Sequence, residues 1–443
     1  MNLGDVKSAV IKKIKPSKKE EEEVKKFSHK LVDALSELGY EALLVGSLGK
    51  HTWLTGDHDI DLFVLFPKNV SREELEKKGL EIGKKACAIL KSKPVLKYAE
   101  HPYTKTTVHG FDIDIVPCYR IDYGEKIISA VDRSPLHLRY VLENMKPELR
   151  DDVRLLKQYM KGIGVYGSDV KRLGFSGYVC ELLIIKYGSF DNALKEISKW
   201  TLPKIVNMDQ KFVRMLQGYL FISDPVDPKR NASAAVSSEN LVKLISFTRR
   251  FLKNPDTATF FPKTIPLKAV QIKMLKKRGT YYIVLVSKRP DVINDILFPQ
   301  LRKAVIRLDT LLKHEDFHVL NSVAYADNNS IVAFFEISSH LPSIKQMIGP
   351  PINSQIHTKE FLSKYSSPNF GPFVLDDKWV VEITRSYRKP EDLFKDFLSN
   401  SDEDLIQHGI PKHVVKPIKA SKILKDKEIF SLIKKNKILS DFL

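Results

Sequence analysis

The stretch that most constrains this chain is Gly46-Ser47-Leu48-Gly49-Lys50-His51-Thr52-Trp53, followed by Asp57-His58-Asp59-Ile60-Asp61-Leu62-Phe63-Val64-Leu65-Phe66. Ile60, Leu62 and Val64 alternate with Asp59 and Asp61. That period of two predicts a strand over Asp59–Phe66 with both acids on one face and apolar side chains on the other. Neighbouring carboxylates raise each other's pKa, so such a face is costly unless a cation neutralises it. A second run, Phe111-Asp112-Ile113-Asp114-Ile115-Val116, again interrupts an apolar strand with same-face acids. Together the two strands would supply hard oxygen ligands suited to Mg²⁺, and a pair of such ions can serve the attacking and leaving oxygens of an in-line phosphoryl displacement. Asp59, Asp61 and Asp114 are therefore the candidate metal ligands and catalytic residues. Asp57 reads as lying before the strand proper, and Asp112 stays open as a supporting carboxylate.

The Gly46-Ser47 turn leads into a short helix through Trp53, so it offers backbone N–H groups and a hydroxyl to phosphate oxygens. An isolated Gly-Ser or Asp-x-Asp is common in turns and solvated edges. The combination of strand, Gly-Ser turn, short helix, Asp-x-Asp strand and later Asp strand is far more specific.

The surrounding pattern is α+β. Val24, Phe27, Leu31, Leu35 and Leu38 keep helical spacing, and Glu41–Val45 reads as a buried strand. Ser71-Arg72-Glu73-Glu74 is a capping box opening a helix to about Leu90. Strands follow at Val95–Ala99, Lys105–Val108 and Phe111–Val116, completing a mixed sheet. From Pro147 the period becomes helical: Leu149, Val153, Leu156 and Met160 share a face, and Gly177–Tyr187 and Asp191–Lys199 continue it. Asp224-Pro225-Val226-Asp227-Pro228 reads as a loop. A third unit begins near Pro262, with Tyr281–Ser287, Asp295–His314, Phe317–Ala326 and Ile331–Ser338 in β-α-β-β order, like part of a ferredoxin-like or RNA-recognition sheet. Gly349-Pro350-Pro351 reads as a break, Trp379–Thr384 as a strand and Pro390–Ser399 as a helix. The expected domains are 1–146, 147–256 and 257–443.

Composition narrows the partners. With 72 Lys+Arg against 54 Asp+Glu, the net charge is +18 over 443 residues. From Pro411 to Leu443, nine Lys against three acids supply a third of that excess. A phosphate backbone is the natural target, because each neutralised phosphate releases a counterion. A membrane is disfavoured, since no apolar run approaches the roughly 18–20 residues a span needs. Only Cys87, Cys118 and Cys180 are present, which excludes a disulfide framework, and no secretion-signal pattern opens the chain; a reducing, cytoplasmic compartment is expected.

These residues resemble the nucleotidyltransferase superfamily that includes DNA polymerase beta and poly(A) polymerases, and more closely the archaeal class I CCA-adding enzymes. The resemblance extends to Tyr98–Tyr103, Asp114–Tyr119, Ser129–Pro135, Val153–Lys157, Gly174–Tyr178 and Asp224–Asn231. It implies a multidomain α+β protein with a polymerase-beta-like nucleotidyltransferase head, a helical neck, and an RNA-binding body and tail. It implies Mg²⁺-dependent transfer of CMP and AMP from CTP and ATP to the 3′ end of tRNA, with pyrophosphate released and no nucleic-acid template. By the same resemblance Asp59, Asp61 and Asp114 hold the metals, and Asp114 also activates the tRNA 3′-hydroxyl. Ser47 and Lys50 contact the triphosphate, His137, Lys157 and Tyr166 hold phosphates and sugar, and Arg230 helps read the base. The family often carries Arg where Lys50 stands and Glu where Asp59 stands; both differences keep the charge. A poly(A) or terminal uridylyl polymerase, or an inactive RNA-binding protein of the same fold, remains an alternative, and a homodimer is left open.

Overall fold

The computed structural model describes residues 2–98, 101–208, 218–263, 269–338, 340–424 and 428–429. Ala99, Glu100 and all of the Lys-rich stretch past Leu424 except Glu428 and Ile429 lie outside the described residues. The chain divides into two compact units, Met1–Lys263 and Thr264–Leu443.

The first unit opens with α1 (Leu3–Ile14), unassigned by the sequence reading although Val6, Val10 and Ile14 are buried at helical spacing. After α2 (Lys18–Glu37), capped by Ser17, come β1 (Ala42–Leu44), the single turn α3 (Gly46–Gly49) and β2 (Asp59–Phe66). Then follow α4 (Arg72–Ile89), β3 (Val95–Tyr98), β4 (Pro102–Val108) and β5 (Phe111–Tyr119). The sheet order is β1-β2-β5-β4-β3, with β2 and β5 parallel and the other pairs antiparallel. Ile60, Leu62, Val64, Ile113 and Ile115 bury one face against Leu31 and Leu35 of α2 and Leu75 and Ile82 of α4. On the other face Phe63, Val116 and Cys118 form a smaller apolar cluster with Val45. The acids occupy the end of that face where β2 and β5 begin.

The expected helix through Trp53 ends at Gly49. His51 adopts a left-handed φ of 58° and breaks it, while the Thr52 amide returns to the Ser47 carbonyl at 2.9 Å. That reversal sends the Thr52 side chain inward.

Helices α5 (Arg133–Asn144), α6 (Arg150–Gly162), α7 (Gly177–Tyr187), α8 (Phe190–Ser198) and α9 (Ser238–Lys253) share a second core that also takes in α1. Between α8 and α9 lie β6 (Lys204–Val206), β7 (Leu220–Asp224) and β8 (Asp227–Asn231). The segment read as an Asp-Pro loop is thus the bend of a hairpin, with Asp224 paired to Asp227. Proline suits such a bend because its fixed φ matches turn geometry.

The second unit contains α10 (Ala269–Lys277), β9 (Tyr281–Lys288), α11 (Asn294–His314), β10 (Val319–Ala326), β11 (Ser330–Ile337) and β12 (Ile344–Pro351). It continues through α12 (Gln355–Lys364), β13 (Phe370–Leu375), β14 (Lys378–Thr384), α13 (Pro390–Ser399), α14 (Asp402–Gln407), α15 (Lys412–Lys419) and β15 (Lys422–Leu424). The sheet β10-β11-β9-β15 is antiparallel throughout and has ferredoxin-like strand order. A separate sheet, β12-β14-β13, is inserted into it. Gly349-Pro350-Pro351 lies at the end of β12 instead of breaking the chain. As an edge strand with irregular register past Ile348, β12 tolerates the missing N–H groups.

Candidate active site

The parallel pairing of β2 with β5 sets Asp59 opposite Asp112 and Asp61 opposite Asp114. The four acids therefore share one face, in register, as the period-two pattern requires. Burial pushes the Asp61 carboxyl up to about 6, helped by the charges of Asp114 and Asp59, while Lys50 and Lys105 pull it back. Asp114 is raised by burial too, against the attraction of Lys105. Its Oδ1 is buried and, beyond Lys105 at 3.7 Å, has no hydrogen-bond partner.

Asp112 and Asp57 have other engagements. Asp112 accepts from Thr107 Oγ1 at 2.7 Å and pairs with Lys105 at 3.2 Å, contacts that hold its carboxyl low. Asp57 precedes β2 and pairs with Lys161 at 2.9 Å. Among the described residues no three acidic, His or Cys side chains close into a ready-made metal set. Lys105, opposite Asp114 on β4, is the cation that pairs with both β5 acids. A buried carboxylate oxygen without a hydrogen-bond partner, beside a second carboxyl pushed up by burial and like charge, is nonetheless a donor set that fits a divalent cation.

Gly46 bounds this cluster. Its φ is +63°, and a Cβ there would fall within contact of Asp61 Oδ2 and 3.0 Å from Asp61 Cγ. Only glycine lets the turn lie against the carboxylate. Ser47 is the next residue of that turn, half-buried.

Lys50, at the end of the turn, points inward. Its ammonium lies 2.8 Å from Glu181 Oε2 and 4.9 Å from the Tyr178 ring centre. Lys157 of α6 meets the same carboxylate at 3.1 Å through Oε1 and donates to Thr52 Oγ1 at 2.8 Å and Thr52 O at 3.2 Å. Thr52 Oγ1 in turn donates to Glu181 Oε1 at 2.7 Å. Burial alone would raise the Glu181 carboxyl, but the two ammoniums and their hydrogen bonds outweigh it and hold it at about 2. From α6, Arg154 fastens the same segment, bonding the carbonyls of Trp53 and His51 at 2.9 Å each.

Tyr166 closes in from the chain between α6 and α7. A Cβ on Gly177 would stand 3.1 Å from its hydroxyl and 3.3 Å from Lys157 Cε, so both side chains converge on the start of α7. Lys161 lies over the Tyr166 ring at 5.5 Å.

His137 and Arg230 meet at Asp224. The carboxylate, wholly buried, takes His137 Nε2 at 2.9 Å and Arg230 Nη1 at 2.7 Å on Oδ2, and Tyr178 Oη and the Val226 amide at 3.1 Å each on Oδ1. The His137 ring stacks on Tyr178 with centroids 3.8 Å apart. Burial holds the imidazole below its usual value against the pull of Asp224, so at neutral pH it is an uncharged N–H donor. Burial would raise Asp224, yet the hydrogen bonds and charges of His137 and Arg230 bring it to about 2.

Lys50, His137, Lys157 and Arg230 thus join one contact network that runs from Glu181 through Tyr178 to Asp224, with Tyr166 beside it at the start of α7. Residue-by-residue sequence reasoning missed its anchors: Glu181, Thr52, Asp224, Tyr178 and Lys105. Glu181 did leave a signal, a lone acid in the otherwise apolar run from Val179 to Ile185. An acid in that position must be paired.

The comparisons with known proteins agree with this architecture. Residues 24–137 match the family model of a nucleotidyltransferase domain, 151–261 that of the tRNA nucleotidyltransferase second domain, and 278–426 that of the CCA-adding enzyme C-terminal domain. Nucleotidyltransferases of this kind generally use divalent metal ions. The chain is 38% identical to the CCA-adding enzyme of Methanocaldococcus jannaschii over 94% of both chains. It is 38% identical to that of Methanosarcina barkeri over 89% of both, and 34% identical to that of Archaeoglobus fulgidus over 90% of both. No described helix is long and apolar enough to cross a membrane. With three consecutive domain models matched and this identity sustained along nearly its whole length, the chain belongs to the CCA-adding enzymes, the tRNA nucleotidyltransferases.

Proposed function

We propose that this enzyme completes the CCA end of tRNA, transferring CMP and then AMP from CTP and ATP to the 3′-hydroxyl and releasing pyrophosphate. The observation that carries the reading is the register of β2 and β5, which sets Asp61 against Asp114 beside the Gly46-Ser47 turn. Asp59, Asp61 and Asp114 are the residues to hold Mg²⁺, which when bound would neutralise the acids and stabilise charge on the transferring phosphoryl group.

The remaining chemistry belongs to side chains. Asp114 takes the proton of the tRNA 3′-hydroxyl as its oxygen bonds to the α-phosphorus and the bond to the pyrophosphate oxygen breaks. Ser47 and the turn amides receive the triphosphate, with Lys50 and Lys157 supplying positive charge nearby. His137 and Tyr166 line the sugar and phosphates, and Arg230, oriented by Asp224, presents its guanidinium to the base edge. Catalysis of this kind is positioning plus electrostatic stabilisation. A cytoplasmic location suits a tRNA substrate and three buried free thiols.

The test is extension of a tRNA lacking CCA, with CTP, ATP and Mg²⁺, read nucleotide by nucleotide. Addition that stops after C, C and A supports the reading. Continued addition of one nucleotide would assign a poly(A) or uridylyl polymerase, and no extension at any metal or salt concentration would refute both.

A further inference from the structure

We propose that Glu181 is a stand-in for the triphosphate: without nucleotide it holds the Lys50 ammonium inside the protein, and when a nucleoside triphosphate enters, Lys50 leaves Glu181 for a phosphate oxygen while Lys157 stays. The inference rests on the reading of Ser47 and Lys50 as triphosphate contacts.

Its basis is the charge count in a closed space. The side chains of Lys50, Lys157 and Glu181 are 7%, 3% and 1% exposed. Two ammoniums therefore share one hydrogen-bonded carboxylate away from water, and the next acid that feels the Lys50 charge is Asp61, on the side where phosphates would lie. A buried pair built only for stability needs one cation per anion, because an uncompensated buried charge is costly. Here one cation can depart and leave a neutral Lys157–Glu181 pair behind.

The geometry says which one departs. Lys157 is held three ways, by Glu181 Oε1, Thr52 Oγ1 and Thr52 O. Lys50 rests on a single oxygen, Glu181 Oε2, and on the face of Tyr178. It is also the residue that follows the Gly46–Gly49 turn, so the base of its side chain already sits beside the place where phosphates would lie. A lysine suits such an exchange: its ammonium is a point charge on a flexible stem, with no planar fork to re-form. The triphosphate carries more charge than the carboxylate it replaces, so the exchange runs forward when nucleotide is present.

An exchange of this kind makes Glu181 a competitor of the nucleotide. The apparent affinity is lowered by the fraction of molecules whose Lys50 is already engaged, so removing the competing charge raises it. The measurement is ATP binding by calorimetry in the absence of tRNA, with thermal melting of the nucleotide-free protein alongside. In Glu181→Gln we expect ATP to bind about threefold to tenfold more tightly although the nucleotide-free protein melts lower. In Lys50→Met we expect weaker ATP binding with melting close to that of the parent, because Lys157 still neutralises Glu181; Lys157→Met should melt much lower. The Lys50→Met/Glu181→Gln double variant should lose the tightening.

Unchanged or weaker ATP binding in Glu181→Gln overturns the proposal and leaves Glu181 a structural anchor. Should that variant fail to fold, a drop in melting for Lys50→Met as large as for Lys157→Met overturns it equally. Absence of ATP binding by the unsubstituted enzyme would instead overturn the nucleotide-site reading beneath it.

Discussion

Asp224→Asn is the perturbation that most directly probes the Arg230 end of the site. The side chain is wholly buried and accepts from His137, Arg230, Tyr178 and the Val226 amide. Asparagine keeps the shape but removes the charge, and it turns an NH₂ toward groups that are themselves donors. A carboxyl held at about 2, against an ordinary 3.8, contributes about 2–3 kcal/mol by linkage. Arg230 is also left without its anion, which brings the expected loss to about 3–4 kcal/mol. For a folding unit of this size that lowers the melting temperature by roughly 6–16 °C. Because the folded pKa is depressed, the stabilisation is complete above about pH 4 and disappears as the pH falls toward 2. The Asp224 contribution to that gap should therefore fall only below about pH 4, after a widening as His137, lowered further once Asp224 loses its charge, titrates. In the extension assay the variant should lose discrimination among nucleotides more than total incorporation, since Arg230 is no longer oriented. A difference below about 1 kcal/mol at pH 7, or one that does not narrow between about pH 4 and 2, would refute the assignment of Asp224 as an ionised anchor.

Gly46→Ala adds a methyl group against the Asp61 carboxylate at a φ of +63°; we expect at least a hundredfold loss of CCA addition, on the order of 3 kcal/mol, with melting lowered only modestly. Asp61→Asn and Asp114→Asn should each abolish transfer while tRNA affinity, read by filter binding, stays within about twofold, because phosphate contacts elsewhere dominate binding. Lys105→Met removes the cation paired with Asp112 and Asp114 and should tighten divalent-metal binding about tenfold in a Mn²⁺ titration without tRNA. Phe260, buried among Tyr159, Phe190 and Phe251, should cost about 3–5 kcal/mol in denaturant unfolding when replaced by Ala.

What the sequence determined by itself is whatever depends on spacing along one segment. Asp59 and Asp61 share a face because side chains alternate on any strand, and the turn before them is written in Gly46-Ser47. Helices such as Arg72–Ile89 follow from their caps and apolar periods. The family was legible too, since its motifs are local. Even so, local signals misled where two outcomes share one vocabulary: Asp-Pro turn chemistry serves a loop or a hairpin bend, and β7 with β8 proved the latter.

Only the tertiary structure decided which charges meet. Lys50 and Glu181 are 131 residues apart, and His137 and Asp224 are 87 apart; no periodicity links them. The sequence names the cations that would face a nucleotide, but folding determines that one pair of them begins on a buried carboxylate and that another cation, Lys105, stands among the acids. Such pairings are set by desolvation. A charge taken out of water must find its partner wherever the packing of α6, α7 and the Gly46 turn happens to bring one.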